Sequence, residues 1–389
     1  MRERSPSGRD ERRDIVLLAV DKFKGCLTAD EVAAAIGRGM RAAMPALDVR
    51  TVPVADGGEG TVDVALAAGF DARLAHVSGP HGEPAEARWA QRGTRAVLEL
   101  AAASGLHLVS GEHQAERAST FGTGLLVAAA LDAGCTEVIV GLGGSATTDG
   151  GAGLLQALGA RLTTHEGRVA DPGVAVSDVV AVDLDGLRPD LAGCDLRVVC
   201  DVDNPLTGPD GAAAVFGPQK GLTPADVRRV DLALARWADL LDDATGTRHR
   251  DTPGAGSAGG AGFACVAALA ADVIRGVELV ATLYDLHGML PEVDLVVTGE
   301  GSLDRQTLRG KAPVGIARLA QRAGTPVVAV CGRSLLSPDE WRPAGFAAVH
   351  TVSELARSEQ DSLDQAAELL TVVGRRVVDQ DLAALRTDR

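Results

Sequence analysis

Asp14-Ile-Val-Leu-Leu-Ala-Val20 is a near-continuous apolar run, the pattern of a strand buried on both faces. Thr28-Ala-Asp-Glu31 follows it. A Thr with a Glu three residues on is a capping box and marks the start of a helix. That helical stretch runs to about residue 44, and residues 49–54 read as a second strand. Strand, helix, strand is the unit of a right-handed parallel α/β fold.

Working outward, residues 60–69 read as a helix, and from 71 to 118 the texture changes. Short alternating runs at 85–91 and 94–100 predict antiparallel strands. A helix over 119–133 and a strand over 137–142 lead into a Gly-rich turn and a helix over 150–159. Residues 161–194 are mixed and loop-rich, 196–200 is another buried strand, and a charged helix spans 224–243. After a polar, Gly-rich break at 244–256, Ala-rich helices are expected over 258–275 and 277–289. Strands at 294–297, 326–330 and 347–352, with helices at 312–323 and 358–386, resume the opening pattern. The expectation is an α/β fold of two domains. One is a discontinuous Rossmann-like α/β domain, 13–75 plus 293–389. The other is an inserted mixed α/β domain, 76–292. Residues 1–12 read as a disordered, charged tail.

The 389 residues fit about two domains at roughly 100–200 residues each. Aromatics are 3% and glycines number 47, so the core is built from Ala, Val and Leu. The formal net charge of −15 repels a phosphate backbone and argues against nucleic acid as a partner. None of the six cysteines forms a C-x-x-C pair, and most sit in apolar runs, as reduced core thiols do. With no signal-peptide core and no run long enough to span a bilayer, the expectation is a cytoplasmic protein that does not engage a membrane.

Five Gly-rich stretches carry polar side chains, mostly where strands end, the place where open α/β sheets bind ligands. Asp21-Lys-Phe-Lys-Gly25 puts Lys22 and Lys24 on a strand-to-helix turn, suited to an anion, with solvated surface lysines as the plainer reading. Ala55-Asp-Gly-Gly-Glu-Gly-Thr61 places Asp56 and Glu59 in a turn that suits Mg²⁺ or a hydroxyl-rich ligand. Gly141-Leu-Gly-Gly-Ser-Ala-Thr-Thr-Asp-Gly-Gly151 follows an apolar strand and opens a helix. Its backbone N–H groups and hydroxyls, at Gly143, Gly144, Ser145, Thr147 and Thr148, form a candidate phosphate cradle. The run also matches G-x-G-x-x-A, a dinucleotide fingerprint, which needs an acidic residue about 20 positions on. Arg161-Leu-Thr163 stands there instead. Cys200-Asp-Val-Asp-Asn-Pro-Leu206 offers Asp201 and Asp203 on one face, with Asn204 beside them, for a metal or a hydroxyl. Gly217-Pro-Gln-Lys-Gly221 could add a cation. Thr298-Gly-Glu-Gly-Ser-Leu-Asp304, with Gly310-Lys311, gathers an acid (Glu300), hydroxyls and a lysine (Lys311) in one loop. Pro253–Gly260 fits G-x-G-x-x-G but follows a polar loop, so it reads only as a candidate second phosphate-facing loop. No G-x-x-x-x-G-K-[ST], no H-R-D with D-F-G, no H-E-x-x-H and no G-x-S-x-G is present.

Taken together and in order, these segments resemble the bacterial type of glycerate kinase family. Glu31-Val32 and Ser119-Thr-Phe-Gly-Thr-Gly124 add to the match, which covers about 14 to 332. Two positions depart from the family pattern: Cys26 stands where Ser is common, and Asp21-Lys22 replaces Asp-Ser. The resemblance implies two α/β domains with the active site in the cleft between them. It implies phosphoryl transfer from ATP, with Mg²⁺, to D-glycerate, most often giving the 2-phosphate. In the mechanism that fits both readings, Gly143, Gly144, Ser145, Thr147 and Thr148 cradle ATP phosphates. Asp201 serves the substrate hydroxyl, Asp203 or Glu300 holds Mg²⁺, and Lys24 and Lys311 neutralise charge. Asp56 meets glycerate hydroxyls, and Lys311, Asn204 and Glu300 are grouped as substrate-binding. Kinases of other small hydroxy or sugar acids, a nucleotide or metabolite sensor and a dehydrogenase stay open as alternatives, as does assembly into a homo-oligomer.

Overall fold

The computed structural model describes residues 13–23, 25–54, 58, 60–109 and 116–387. The expected tail, 1–12, lies outside the described residues. In chain order the strands among them are β1 Ile15–Val20, β2 Asp48–Thr51, β3 Asp71–Ser78, β4 Pro84–Arg92, β5 Arg95–Glu99, β6 Glu137–Gly141, β7 Arg161–Thr164, β8 Val179–Asp183, β9 Asp195–Val199, β10 Asp272–Ile274, β11 Leu295–Gly299, β12 Ser302–Leu303, β13 Val327–Cys331, β14 Arg333–Ser334 and β15 Ala348–Thr351. Packing separates two compact units that divide at 54/55 and 279/280.

The unit formed by the two ends of the chain holds a five-stranded, all-parallel sheet in the order β15-β13-β11-β1-β2. β1, β11 and β13 are buried almost throughout, which is why they read as near-continuous apolar runs rather than alternating ones, with the buried Thr298 hydroxyl satisfied by the Ala19 carbonyl. From β1 the chain crosses to β2 on one side, while β11, β13 and β15 run outward on the other. The gap between β1 and β11 is therefore a topological switch point, where such sheets leave a crevice outside the strand ends. Helix Ala29–Ala43 starts at the predicted capping box. Thr28 Oγ1 accepts the Glu31 N–H (3.3 Å) and Glu31 Oε2 accepts the Thr28 N–H (2.8 Å).

The inserted unit holds a six-stranded sheet in the order β10-β9-β6-β5-β4-β3. The predicted antiparallel pair is β4 with β5, extended by β3, while β5, β6, β9 and β10 are parallel. The chain thus forms mixed α/β structure built on two sheets with parallel strands.

Several expected elements are corrected. The helix expected over 258–275 ends at Leu269, where Ala270 turns left-handed (φ 52°). Asp272–Ile274 then pairs with β9 as edge strand β10, because backbone pairing beside a buried sheet outweighs helix propensity in an Ala-rich run. The second strand stops at Thr51 rather than 54. The loop-rich stretch contains the hairpin β7–β8. The helix expected over 358–386 is broken into Glu359–Asp364, Ala366–Arg376, a π-helical segment Val377–Leu382 and Ala383–Thr387.

Helices Ala29–Ala43 and Ala366–Arg376 touch backbone to backbone. A Cβ on Gly39 would lie 1.9 Å from the Thr371 carbonyl oxygen, and one on Gly374 2.2 Å from that of Ile36. Overpacking of a rigid backbone contact costs about 1–3 kcal/mol. Gly39→Ala is expected to lower stability by at least ~2 kcal/mol in urea unfolding, although Ala favours helix. Unchanged stability would show that the two helices separate easily.

Candidate functional site

In the inserted unit, β6 delivers the Gly141–Gly151 loop. Its centre is Asp149, 3% exposed. The Asp149 carboxylate accepts the Thr120 N–H (2.8 Å), the Thr120 hydroxyl (2.8 Å), the Gly151 N–H (3.1 Å), the Gly153 N–H (3.2 Å) and, at 3.5 Å, the Ser119 hydroxyl. Thr120 Oγ1 itself accepts the Leu154 N–H (2.9 Å), so its proton is committed to Asp149. Burial pushes the Asp149 carboxyl up, and these hydrogen bonds pull it back. Every partner is a donor, so the group is held as a carboxylate. It ties the start of helix Phe121–Asp132 to the start of helix Ala152–Ala157.

The amides of Gly151 and Gly153 at this helix start are thus already committed to Asp149. The upstream amides differ. Among the described residues, no hydrogen bond takes up the N–H groups of Gly143, Gly144 or Ser145. Gly144 is exposed and left-handed (φ 75°), and Gly143 is half-buried. Ser145, Thr147 and Thr148 are buried. Lys220, 2% exposed, lies against this loop and donates to Ser145 Oγ (2.8 Å) and to the Thr147 carbonyl (2.6 Å). Burial pushes its ammonium down to about 7, and Asp149 opposes that shift.

The loop after β9 carries the other candidates. Asp201 Oδ1 accepts the Gly276 N–H (3.0 Å), and Asp203 pairs with Arg275. The two acids expected to share a face therefore meet adjacent residues just after β10, Gly276 and Arg275. Asn204 Nδ2 donates to the Asp210 carbonyl (2.7 Å). The Pro253–Gly260 segment is buried from 254 onward and joins the two loops. The Gly256 N–H donates to the Asn204 carbonyl (2.9 Å), the Gly150 N–H donates to the Gly259 carbonyl (3.0 Å), and Thr147 Oγ1 donates to the Ala258 carbonyl (3.2 Å). A Cβ on Gly259 would sit 1.9 Å from the Thr147 oxygen, so glycine is required there. This segment, read from sequence as a candidate phosphate-facing loop, is a clamp between the other two.

In the unit built from the chain ends, Glu300 follows β11 at the switch point. It accepts the Thr307 hydroxyl through Oε1, and its Oε2 lies 3.9 Å from Lys311 Nζ. Burial raises the Glu300 carboxyl, and the charges of Asp21 and Asp304 add to this, against Thr307 and Lys311. Lys311 caps helix Ala312–Ala323 and is partly exposed. Lys24 and Asp56, both candidates from sequence, lie outside the described residues.

Sequence reading passed over two groups of this architecture, Asp149 and Glu99. Glu99, at the end of β5, accepts the Gly60 N–H (3.0 Å) and the Val62 N–H (2.7 Å), fixing the turn into helix Thr61–Ala67. The available signal was a carboxylate directly after an apolar strand, as at Asp201 and Glu300. Lys220 was noted only as a spare cation, since nothing local marks a lysine as buried.

Parallel strands whose ends bear carboxylates, with a buried lysine and uncommitted loop amides, define a mixed α/β protein. The chain belongs to the glycerate kinase family, whose sequence model matches residues 16–380. A glycerate kinase of Bacillus subtilis (strain 168) is 43% identical over 368 residues, 93% of this chain and 96% of that one. A glycerate 2-kinase of Escherichia coli (strain K12) is 44% identical over 322 residues, 82% of this chain and 84% of its own. A crystal structure assigned to glycerate kinase 2 of Salmonella typhimurium LT2 superposes with a TM-score of 0.81 at 40% identity, covering 96% of this chain and all of that one (100%).

Removing the Asp149 charge leaves N–H groups without an acceptor and Lys220 without its counter-charge. Asp149→Asn is expected to cost about 3–5 kcal/mol in chemical unfolding. A loss under ~1 kcal/mol would show that the carboxylate does not hold the two helix starts together.

Proposed function

We propose that this protein transfers the γ-phosphoryl group of ATP to D-glycerate, giving 2-phospho-D-glycerate and ADP. Membership of the glycerate kinase family supports the reaction, and the E. coli relative's name supports the 2-position. The observation that carries it in the structure is the row of uncommitted amides at Gly143–Ser145, backed by a buried lysine.

Phosphoryl transfer asks for positioning and charge neutralisation more than covalent chemistry. The Gly143, Gly144 and Ser145 amides receive phosphate oxygens, with Thr147 and Thr148 shaping the loop. Asp201, anchored through Oδ1, takes the proton of the attacking hydroxyl. That hydroxyl oxygen bonds to the γ-phosphorus as the bond to the β-phosphate oxygen breaks and ADP leaves. Glu300, Lys311, Asn204 and the undescribed Lys24 and Asp56 serve the acceptor acid: the lysines meet its carboxylate, and the others meet its hydroxyls.

Among the described residues no group of three or more His, Cys, Asp or Glu could hold a metal alone. Mg²⁺ commonly uses one or two carboxylates together with waters and substrate phosphates. The Asp203 carboxylate, 57% exposed, suits such a shared site. Glu300 is the second candidate. When bound, Mg²⁺ supplies neutralisation of charge on the phosphates.

Among the described residues no helix is long and apolar enough to cross a membrane. The test is ADP release with ATP, Mg²⁺ and D-glycerate, with the product identified by phosphorus NMR. Asp201→Asn is expected to lower kcat by about 10²–10⁴ with an intact fold. A folded variant with near wild-type kcat would remove Asp201 from proton transfer, and no glycerate-dependent ADP release by the wild type would overturn the reading.

A further inference from the structure

We infer that Lys220 is a positioning residue for nucleotide binding: it fixes the Ser145 hydroxyl as a donor to a phosphate oxygen of ATP. The inference rests on the proposed role of the Gly143–Ser145 amides as a phosphate cradle.

The geometry leads to it in three steps. Lys220 is buried and donates to exactly the two groups that frame the loop, Ser145 Oγ at 2.8 Å and the Thr147 carbonyl at 2.6 Å. An ammonium only donates, so Ser145 Oγ is the acceptor in that contact. The single hydroxyl proton of Ser145 must then point elsewhere, and among the described residues no hydrogen bond takes it. Ser145 also carries one of the three uncommitted amides. Its N–H and O–H are thus both unspent donors on the residue that the lysine holds in place.

A hydroxyl that accepts from a cation is polarised and becomes a stronger donor to an anion. The chain Lys220–Ser145–phosphate oxygen therefore passes positive charge to the ligand through one side chain. Lys220 need not touch the nucleotide, which its burial makes difficult. The charged group bearing on Lys220 is Asp149, from the far end of the same loop, and it favours the ammonium form. Burial opposes it and leaves the lysine titrating near neutral pH, with its ordinary value at 10.5. As pH rises through that range the ammonium is lost and the effect weakens.

Calorimetric titration with a non-hydrolysable ATP analogue and Mg²⁺ tests this on the full chain, using Ser145→Ala, Lys220→Met and the double variant. Each single change is expected to weaken binding roughly tenfold, as loss of a hydrogen bond to a charged group does. The double variant should be no weaker than about the worse single one, because both remove the same path. The gap between wild type and Lys220→Met should narrow from pH 6.5 to 8.5. Binding by Ser145→Ala within twofold of wild type overturns the inference, as do losses that multiply in the double variant. If Lys220→Met does not fold, the pH profiles of wild type and Ser145→Ala decide. A flatter profile in Ser145→Ala supports the relay, and parallel profiles overturn it. The titration needs no acceptor acid, so absence of glycerate-dependent ADP release would sink the proposed reaction without deciding this point.

Discussion

A single buried carboxylate holds the inserted unit's Gly-rich loop in shape. Asp149 gathers donors from Ser119, Thr120, Gly151 and Gly153, and thereby pins two helix starts to each other and to the end of β6. Helix starts carry unpaired N–H groups and partial positive charge, so an internal anion satisfies both at once. The close approach needs glycine: a Cβ on Gly153 would fall 2.2 Å from Ser119 Oγ, and one on Gly124 2.5 Å from the Leu154 carbonyl. With the downstream amides spent on Asp149, the upstream ones at Gly143–Ser145 remain uncommitted among the described residues. A buried anion also makes a buried cation tolerable, and Lys220 takes that place.

The same logic recurs at the ends of β5, β9 and β11. Glu99 at the end of β5, Asp201 after β9 and Glu300 after β11 each close a strand with an apolar run, and each accepts an N–H or hydroxyl hydrogen bond. The strands fix where the carboxylates begin, and the hydrogen bonds fix which oxygen stays engaged. At the switch point between β1 and β11, burial and the neighbouring acids Asp21 and Asp304 raise the Glu300 carboxyl, and Lys311 restrains it.

Much of this was legible in the chain itself. DIVLLAV, the Thr28–Glu31 capping box and the strands read at 294–297 and 326–330 state their structure locally, since burial on both faces selects apolar side chains. The edge strand β10 was not legible, because Ala271-Asp-Val-Ile274 is compatible with a helix until β9 offers it hydrogen bonds. The candidate residues were found as polar groups in Gly-rich turns. Their partners were not: Asp201 meets Gly276 across 75 positions of sequence, Asp203 meets Arg275 across 72, and Lys220 meets Ser145 across 75. Such pairings depend on which strands become neighbours, and no local pattern encodes that order.

The central claim is that the amides of Gly143, Gly144 and Ser145 receive the nucleotide's phosphates while those of Gly151 and Gly153 stay bound to Asp149. Backbone ¹⁵N–¹H spectra recorded while a non-hydrolysable ATP analogue is added with Mg²⁺ observe each amide separately. Large shifts and slowed hydrogen exchange are expected at Gly143, Gly144 and Ser145, with little change at Gly151 and Gly153. Saturating nucleotide that leaves residues 143–145 unmoved, or that acts first on Gly151 and Gly153, would contradict it.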